Sequence, residues 1–173
     1  LVTWQDCRCL EEKDFLTTLR EKAGHRLSSG FGTATAAWWV ENAQLPEGVT
    51  AFSTIGSLAA GRLAGLDRPV LDATDAAAWG AFDLQKMQWD TPAFKALDLG
   101  PGLFPAVITS GAPLGVLESN MASKLGLTPG IPVAPALGDN QAALMATLDE
   151  PGQEVALTIG TGAQLSAIVP SAE

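Results

Sequence analysis

The sequence predicts an α/β fold. Three observations predict it. Apolar stripes at helical spacing alternate with short apolar runs bounded by glycine and proline; no segment repeats; and the chain closes on two apolar runs split by Gly160-Thr161-Gly162, the pattern of a β-hairpin.

The elements follow in order. Leu1-Val2-Thr3-Trp4 reads as a strand already under way, and since the chain also begins without Met, it is expected to be cut from something longer. Leu10, Phe15, Leu16, Leu19 and Ala23 then give a rough helical stripe, with charges between Glu11 and Lys22 on the other positions and Gly24 as the stop. Ser28-Ser29-Gly30-Phe31-Gly32 is a loop leading into a helix whose apolar members include Ala34, Ala37, Trp38 and Val40, ending before Pro46. Another helix spans Ser53 to Ala64 and ends at Gly65. Val70-Leu71 is a short strand, and Asp72 to Trp79 a turn or short helix over the core.

From Leu97 to Pro113, proline and glycine predict a wandering connection. Leu114 to Leu117 suits a strand and Asn120 to Leu125 a short helix. Ile131 to Leu137 reads as a buried strand whose two prolines place it near an edge or make it irregular, and Gly138-Asp139 ends it. Ala142, Ala143, Leu144, Met145 and Leu148 then predict a largely buried helix from Asn140 to Leu148. Val155 to Ile159 and Ala163 to Val169 form the closing hairpin, read as the start of a second lobe.

The composition excludes several classes of function. At 173 residues, 47% hydrophobic and 17% charged, the chain has the make-up of one ordinary globular domain or of part of a larger one. A formal net charge of -9 disfavours attraction to phosphate backbones and to anionic membranes, so neither nucleic acid nor a membrane is expected as a partner. A nucleotide stays open, because local loops rather than net charge hold a single small anion. The two cysteines, Cys7 and Cys9, are one residue apart, which suits neither a strain-free disulfide nor the usual zinc knuckle. No metal site is expected from protein ligands. Without an apolar run of transmembrane length, or a basic and apolar opening segment, the simplest compartment is a reducing cytosol.

Two places invite chemistry. In Gly138-Asp139-Asn140-Gln141-Ala142-Ala143 a carboxylate stands at a strand-to-helix junction, beside a helix N-terminus whose partial positive charge and free N–H groups attract an anion. That suits a base, although Asp is also a favoured helix cap, and position alone favours the cap. Gly160-Thr161-Gly162 lets a phosphate approach the backbone and the Thr161 hydroxyl bond to it. Most such turns bind nothing.

Their order adds something. A carboxylate after a strand, one helix, and then a glycine-threonine hairpin is the arrangement of two-lobed actin-like kinases. Along essentially its whole length the chain resembles the FGGY family of carbohydrate kinases. The resemblance is carried by Trp4-Gln5-Asp6-Cys7-Arg8, Ser29-Gly30-Phe31-Gly32-Thr33-Ala34-Thr35, Asp75-Ala76-Ala77-Ala78-Trp79-Gly80, Gly138-Asp139-Asn140-Gln141-Ala142 and Gly160-Thr161-Gly162. Within the family, the wording from Leu1 to Asp6, from Gly30 to Thr35 and from Ala136 to Ala142 is most similar to the sedoheptulokinases. Two departures are visible: Cys7 stands where the family usually has glycine, and Gly160-Thr161-Gly162 follows the wider family rather than that branch.

The resemblance implies an actin-like (ribonuclease H-like) ATPase fold, in part. Residues 1–148 would form the later part of the sugar-binding lobe and residues 149–173 the start of the ATP-binding lobe. It implies transfer of the γ-phosphoryl group of ATP, with Mg²⁺, to a terminal hydroxyl of a ketose, sedoheptulose first and xylulose or another pentulose as the alternative. Asp139 matches the catalytic aspartate, which also touches the sugar; Asn140 matches a substrate-binding neighbour; Gly160, Thr161 and Gly162 match the ATP phosphate loop. The family's N-terminal phosphate loop and its adenine site match nothing in the sequence, so the chain by itself is expected to be inactive. A non-catalytic actin-like ATPase or scaffold piece and a self-contained binding module are the competing readings.

The remaining polar and aromatic residues carry the plainer expectation. His25, beside Arg26, is read as a solvated surface residue, and Trp38, Trp39 and Trp89 as packing. Trp4, Asp6 and Arg8 either form a structural ion pair or line the sugar cleft, with structure favoured because alternation puts Asp6 and Arg8 on one face where they can neutralise each other. Asp75 and Trp79 are left between the same two roles.

Overall fold

A computed structural model describes residues 2–3, 5–12, 14–24, 27–160 and 162–169. The chain forms two compact units, Leu1–Ala136 and Leu137–Glu173.

In the first unit the expected opening strand is not found at its described residues, Val2 and Thr3; Leu1 and Trp4 lie outside the described residues. The chain turns there instead, with Asp6 N–H donating to Thr3 O at 3.0 Å. Asp6 Oδ1 accepts from the backbone N–H of Arg8 at 3.0 Å, which pulls the backbone into α1 (Arg8–Glu11). The stripe predicted from Leu10 to Ala23 is thus broken into α1 and α2 (Phe15–Ala23), because Asp14 takes a left-handed conformation with φ 67°. Gly24 closes α2 as expected, at φ 68°, its N–H donating to Arg20 O. Helix α3 (Gly32–Glu41) and α4 (Ile55–Leu63) lie where the apolar spacing puts them.

β1 (Val70–Asp72) leads directly into α5 (Ala73–Ala77), whose N-terminus is capped by the buried Asp72. One Asp72 oxygen, Oδ1, accepts from Thr74 N–H at 2.8 Å, Thr74 Oγ1 at 2.6 Å and Ser110 Oγ at 2.7 Å, which ties the end of β1 to the chain beyond its partner strand. That partner is β4 (Ala106–Ile108), parallel to β1 with Leu71 opposite Val107. The stretch from Leu97 to Pro113 is therefore not wholly irregular: pairing with a strand more than thirty residues earlier overrides the local proline and glycine content. Between them lie β2 (Phe82–Asp83), β3 (Gln88–Trp89) and α6 (Thr91–Ala96), a hairpin and a helix the periodicity did not announce. Phe82 faces Trp89 across the hairpin, ring centroids 5.1 Å apart.

β5 (Gly115–Val116), α7 (Ser119–Leu125) and β6 (Pro132–Val133) complete the first unit, with β5 and β6 antiparallel. The buried strand expected over Ile131 to Leu137 shrinks to Pro132–Val133, which is not buried. Pro132 and Pro135 withhold two ladder donors, and residues 134–138 run without regular hydrogen bonding. The core is aromatic: Phe94 and Phe104 stack with centroids 3.8 Å apart, and Phe52, Trp79 and Trp89 surround Phe104 at 5.7, 5.9 and 5.3 Å. Trp89 also donates its Nε1–H to Pro105 O at 2.8 Å.

The second unit consists of α8 (Asp139–Thr147) and an antiparallel hairpin of β7 (Val155–Ile159) and β8 (Ala163–Ala167), with Leu157 opposite Leu165. The hairpin stands where expected. Helix α8, predicted largely buried, is not: it has no buried residue, and Met145 is 71% exposed. A single two-stranded ribbon offers too little apolar surface to cover it. No described helix is long and apolar enough to cross a membrane.

Candidate functional site

Asp139 is the first residue of α8, and Gly138 the residue before it, with no side chain to cap the helix. The carboxylate therefore sits in the first turn, where the uncompensated N–H groups of the helix converge. Its Oδ1 accepts from Asn140 N–H at 2.7 Å, while Oδ2 takes no hydrogen bond from a described residue and the side chain is exposed. One oxygen is held and one is open. Such an arrangement orients a carboxylate and leaves a lone pair for a proton brought by another molecule. Asn140, half-buried, lines an open groove between α8 and β7 together with Ala143, Leu144, Leu148, Ala156 and Thr158.

Gly160 and Gly162 flank the tip of the β7–β8 hairpin, and Thr161 lies outside the described residues. Gly160 N–H donates to Gly162 O at 2.8 Å, so that donor is engaged within the turn. Access is wide, however: a Cβ at Gly162 would meet nothing within 4 Å, and one at Gly160 only Gly162 O at 4.0 Å. Among the described residues no group of three or more His, Cys, Asp or Glu side chains could hold a metal ion.

The other motif segments meet in the first unit. Arg8 Nε donates to Asp6 Oδ1 at 2.8 Å, and Ser29 Oγ donates to Asp6 O at 2.6 Å, so the first two segments are joined by hydrogen bonds. Asp6 and Arg8 do share a face, but through a turn and a helix start rather than by strand alternation. That hydrogen bond holds the Asp6 carboxyl below its ordinary value, against a smaller opposing effect of burial. The Arg8 guanidinium lies 5.1 Å from the Trp38 ring centroid and 5.3 Å from that of Trp39. Trp4, His25 and Arg26 lie outside the described residues.

The segment from Asp75 to Gly80 is likewise absorbed by packing. A Cβ on Gly32 would lie 2.4 Å from Trp79 Cδ2, and one on Gly80 2.6 Å from Phe31 Cδ2; these glycines let the second and third segments interlock. Asp75 Oδ2 accepts from Thr54 Oγ1 at 2.7 Å and from Ser57 Oγ at 3.2 Å, so it fastens the first turn of α4. Sequence reasoning passed over Thr54, Gly56 and Ser57 in that turn. The available signal was Gly56, a poor helix former placed inside a helical pattern.

With this geometry in view, the similarities to known proteins fall into line. The profile of the "FGGY family of carbohydrate kinases, N-terminal domain" matches residues 2–146. A sedoheptulokinase of Homo sapiens is 33% identical over 173 residues, covering 99% of this chain and 35% of its own. A glycerol kinase of Marinomonas sp. (strain MWYL1) is 31% identical over 172 residues, covering 93% and 34%. The crystal structure of Plasmodium falciparum glycerol kinase with ADP superposes with a TM-score of 0.74 at 20% identity, covering 95% of this chain and 34% of that one. The likeness establishes the fold as a part of the actin-like, ribonuclease H-like α/β fold. The chain spans about a third of the length of the curated relatives it matches.

Proposed function

Because the chain belongs to the FGGY family of carbohydrate kinases, we propose that the protein containing it is an ATP-dependent kinase acting on a terminal hydroxyl of a ketose, with sedoheptulose as the sugar. The observation that carries this reading is the exposed Asp139 carboxylate at the start of α8, one oxygen held by Asn140 N–H and the other open. The choice of sugar rests on the 33% identity with a sedoheptulokinase across the whole chain.

In this reading Asp139 accepts the proton of the attacking sugar hydroxyl and orients that hydroxyl, and Asn140 helps hold the sugar. Gly160, Thr161 and Gly162 border the phosphates, the glycines by letting them reach the backbone and Thr161 by its hydroxyl. ATP, when bound, supplies the phosphoryl group, and Mg²⁺ accompanies its phosphate oxygens. We assign residues 1–148 to the sugar-binding lobe and residues 149–173 to the start of the ATP-binding lobe. The chain by itself then lacks kinase activity.

The test is a coupled ADP-release assay on the full-length protein with sedoheptulose, xylulose, ribulose and glycerol. The highest kcat/KM is expected for sedoheptulose. Activity confined to xylulose or ribulose would move the assignment to a pentulose kinase, and none with any of the four would overturn it.

A further inference from the structure

Helix α8 closes on Leu148, whose N–H donates to Leu144 O, and β7 begins at Val155. Residues 149–154 thus join the helix that carries Asp139 and Asn140 to the hairpin whose tip Gly160 and Gly162 flank. All of them belong to the second unit.

The connection is built as a clip rather than a loose tether. Gln153 N–H donates to Glu150 O at 3.0 Å, closing a β-turn with Pro151 and Gly152 at its centre. Proline presets φ at the first central position, and Gly152 takes φ 92°, the sign that the second central position of a type II turn requires. Glu154 then folds back over the turn. Its Oε2 accepts from Asp149 N–H at 2.9 Å and from Glu150 N–H at 3.0 Å, the first two backbone donors after the helix cap. A single carboxylate oxygen therefore ties the residue before β7 to the residues after α8, and its charge strengthens both bonds.

The residue type supports a use for that charge. A further carboxylate beside Asp149 and Glu150, in a chain of net charge -9, is electrostatically unfavourable unless donors face it. Elsewhere α8 and β7 face each other across an open groove, so packing does little to fix their mutual direction and the connection is left to set it.

We infer that Glu154 is a positioning residue for phosphoryl transfer: its carboxylate fixes the turn between α8 and β7, and with it the direction in which the hairpin bearing Gly160 and Gly162 leaves the helix bearing Asp139 and Asn140. The inference rests on the reading of Asp139 as the base and of the hairpin tip as the phosphate loop. Glu154 itself need touch neither substrate.

The test is steady-state kinetics on the full-length protein, with ATP and whichever of sedoheptulose, xylulose, ribulose and glycerol gives the highest kcat/KM. Wild type is compared with Glu154→Ala, Glu154→Gln, Gly152→Ala and the Glu154→Ala/Gly152→Ala pair. Glu154→Ala is expected to lower kcat by about tenfold, the scale of lost hydrogen bonds to a charged acceptor. The KM for sugar and for ATP should stay within a factor of about two, because each substrate meets its own element intact and only their alignment suffers. Glu154→Gln keeps an acceptor oxygen and should retain roughly a third or more of wild-type kcat. Gly152→Ala strains the turn at φ 92° and should act in the same direction, the pair losing less than the product of the single losses, as parts of one turn do. A merely structural role would lower the melting temperature and the yield of folded enzyme while leaving kcat per folded molecule in place. Unchanged kcat in Glu154→Ala, a loss carried by KM instead, or a Gln variant no better than the Ala variant overturns the inference. Should Glu154→Ala fail to fold, Glu154→Gln and Gly152→Ala are read in its place, and normal kcat in Gly152→Ala, or no folded enzyme in either, overturns it equally. An inactive wild type, or a fully active Asp139→Asn variant, would refute the kinase reading or the base respectively, and the inference with it.

Discussion

Arg8 donates its Nε–H to Asp6 Oδ1 at 2.8 Å while its guanidinium stands about equally far from the rings of Trp38 and Trp39. One cation thereby joins the opening turn to α3. Arg8→Lys keeps the charge but loses the planar fork and the stacking, and is expected to cost about 1 kcal/mol in urea unfolding. The acid limb carries a second signature. Asp6 titrates below its ordinary 3.8 in the folded chain, so the unfolded chain binds more protons, and the stability it contributes is complete above that value and lost as pH falls through the folded one. Asp6→Asn should therefore flatten the fall in the urea midpoint between about pH 5 and about pH 2. An equally steep fall in the variant would show that other carboxylates carry it.

Gly32→Ala places a methyl 2.4 Å from Trp79 Cδ2, inside a core where Trp79 is only 8% exposed. The backbone at Gly32 is ordinary helix, so the substitution introduces crowding and no backbone strain. A loss of about 1–3 kcal/mol is expected, the usual scale of overpacking, read from chemical denaturation. A variant as stable as wild type would mean that Trp79 can move aside.

Cys9 is 1% exposed, and burial raises its thiol pKa to about 11, whereas Cys7 is exposed and donates its S–H to Gln5 O. Thiolates, not thiols, react with alkylating reagents. Mass spectrometry after iodoacetamide treatment of the folded chain at roughly pH 8 should find the adduct on Cys7 and almost none on Cys9, with both labelled in denaturant. Equal labelling under native conditions would show that α1 opens readily.

In the full-length protein Asp139→Asn is expected to preserve folding and ATP binding, because the amide keeps the side chain's shape. Turnover should fall by roughly 10²-fold or more, since the proton acceptor is gone. Thr161→Val, which deletes a hydroxyl while keeping its outline, should raise the KM for ATP more than it lowers kcat. Steady-state kinetics with near-normal turnover in Asp139→Asn would reduce Asp139 to a surface residue of the helix start.

Most of the helices were legible because their signals are local. Ala34, Ala37, Trp38 and Val40 mark α3 within three turns, and Gly24 and Gly65 stop α2 and α4 with left-handed φ values of 68° that glycine adopts without strain. β4 was not legible, because what makes Ala106–Ile108 a strand is Val70–Asp72, far away in the chain. Helix α8 stands where its apolar spacing put it, at Asp139–Thr147, but the burial those residues announced is not found.

By itself the sequence determined the α/β class, the order of most helices, the closing hairpin, and the motif residues that tie the chain to a kinase family. These depend on spacing and residue type, which are written along the chain. Only the tertiary structure decided what the motif residues do: that Arg8 stands against Trp38 and Trp39, that Gly32 and Gly80 make room for Trp79 and Phe31, and that Asp75 fastens α4. Each of those roles is a distance between residues remote in sequence. Such distances follow from how the elements pack, because only packing brings an atom to within contact of a partner that local preference cannot name.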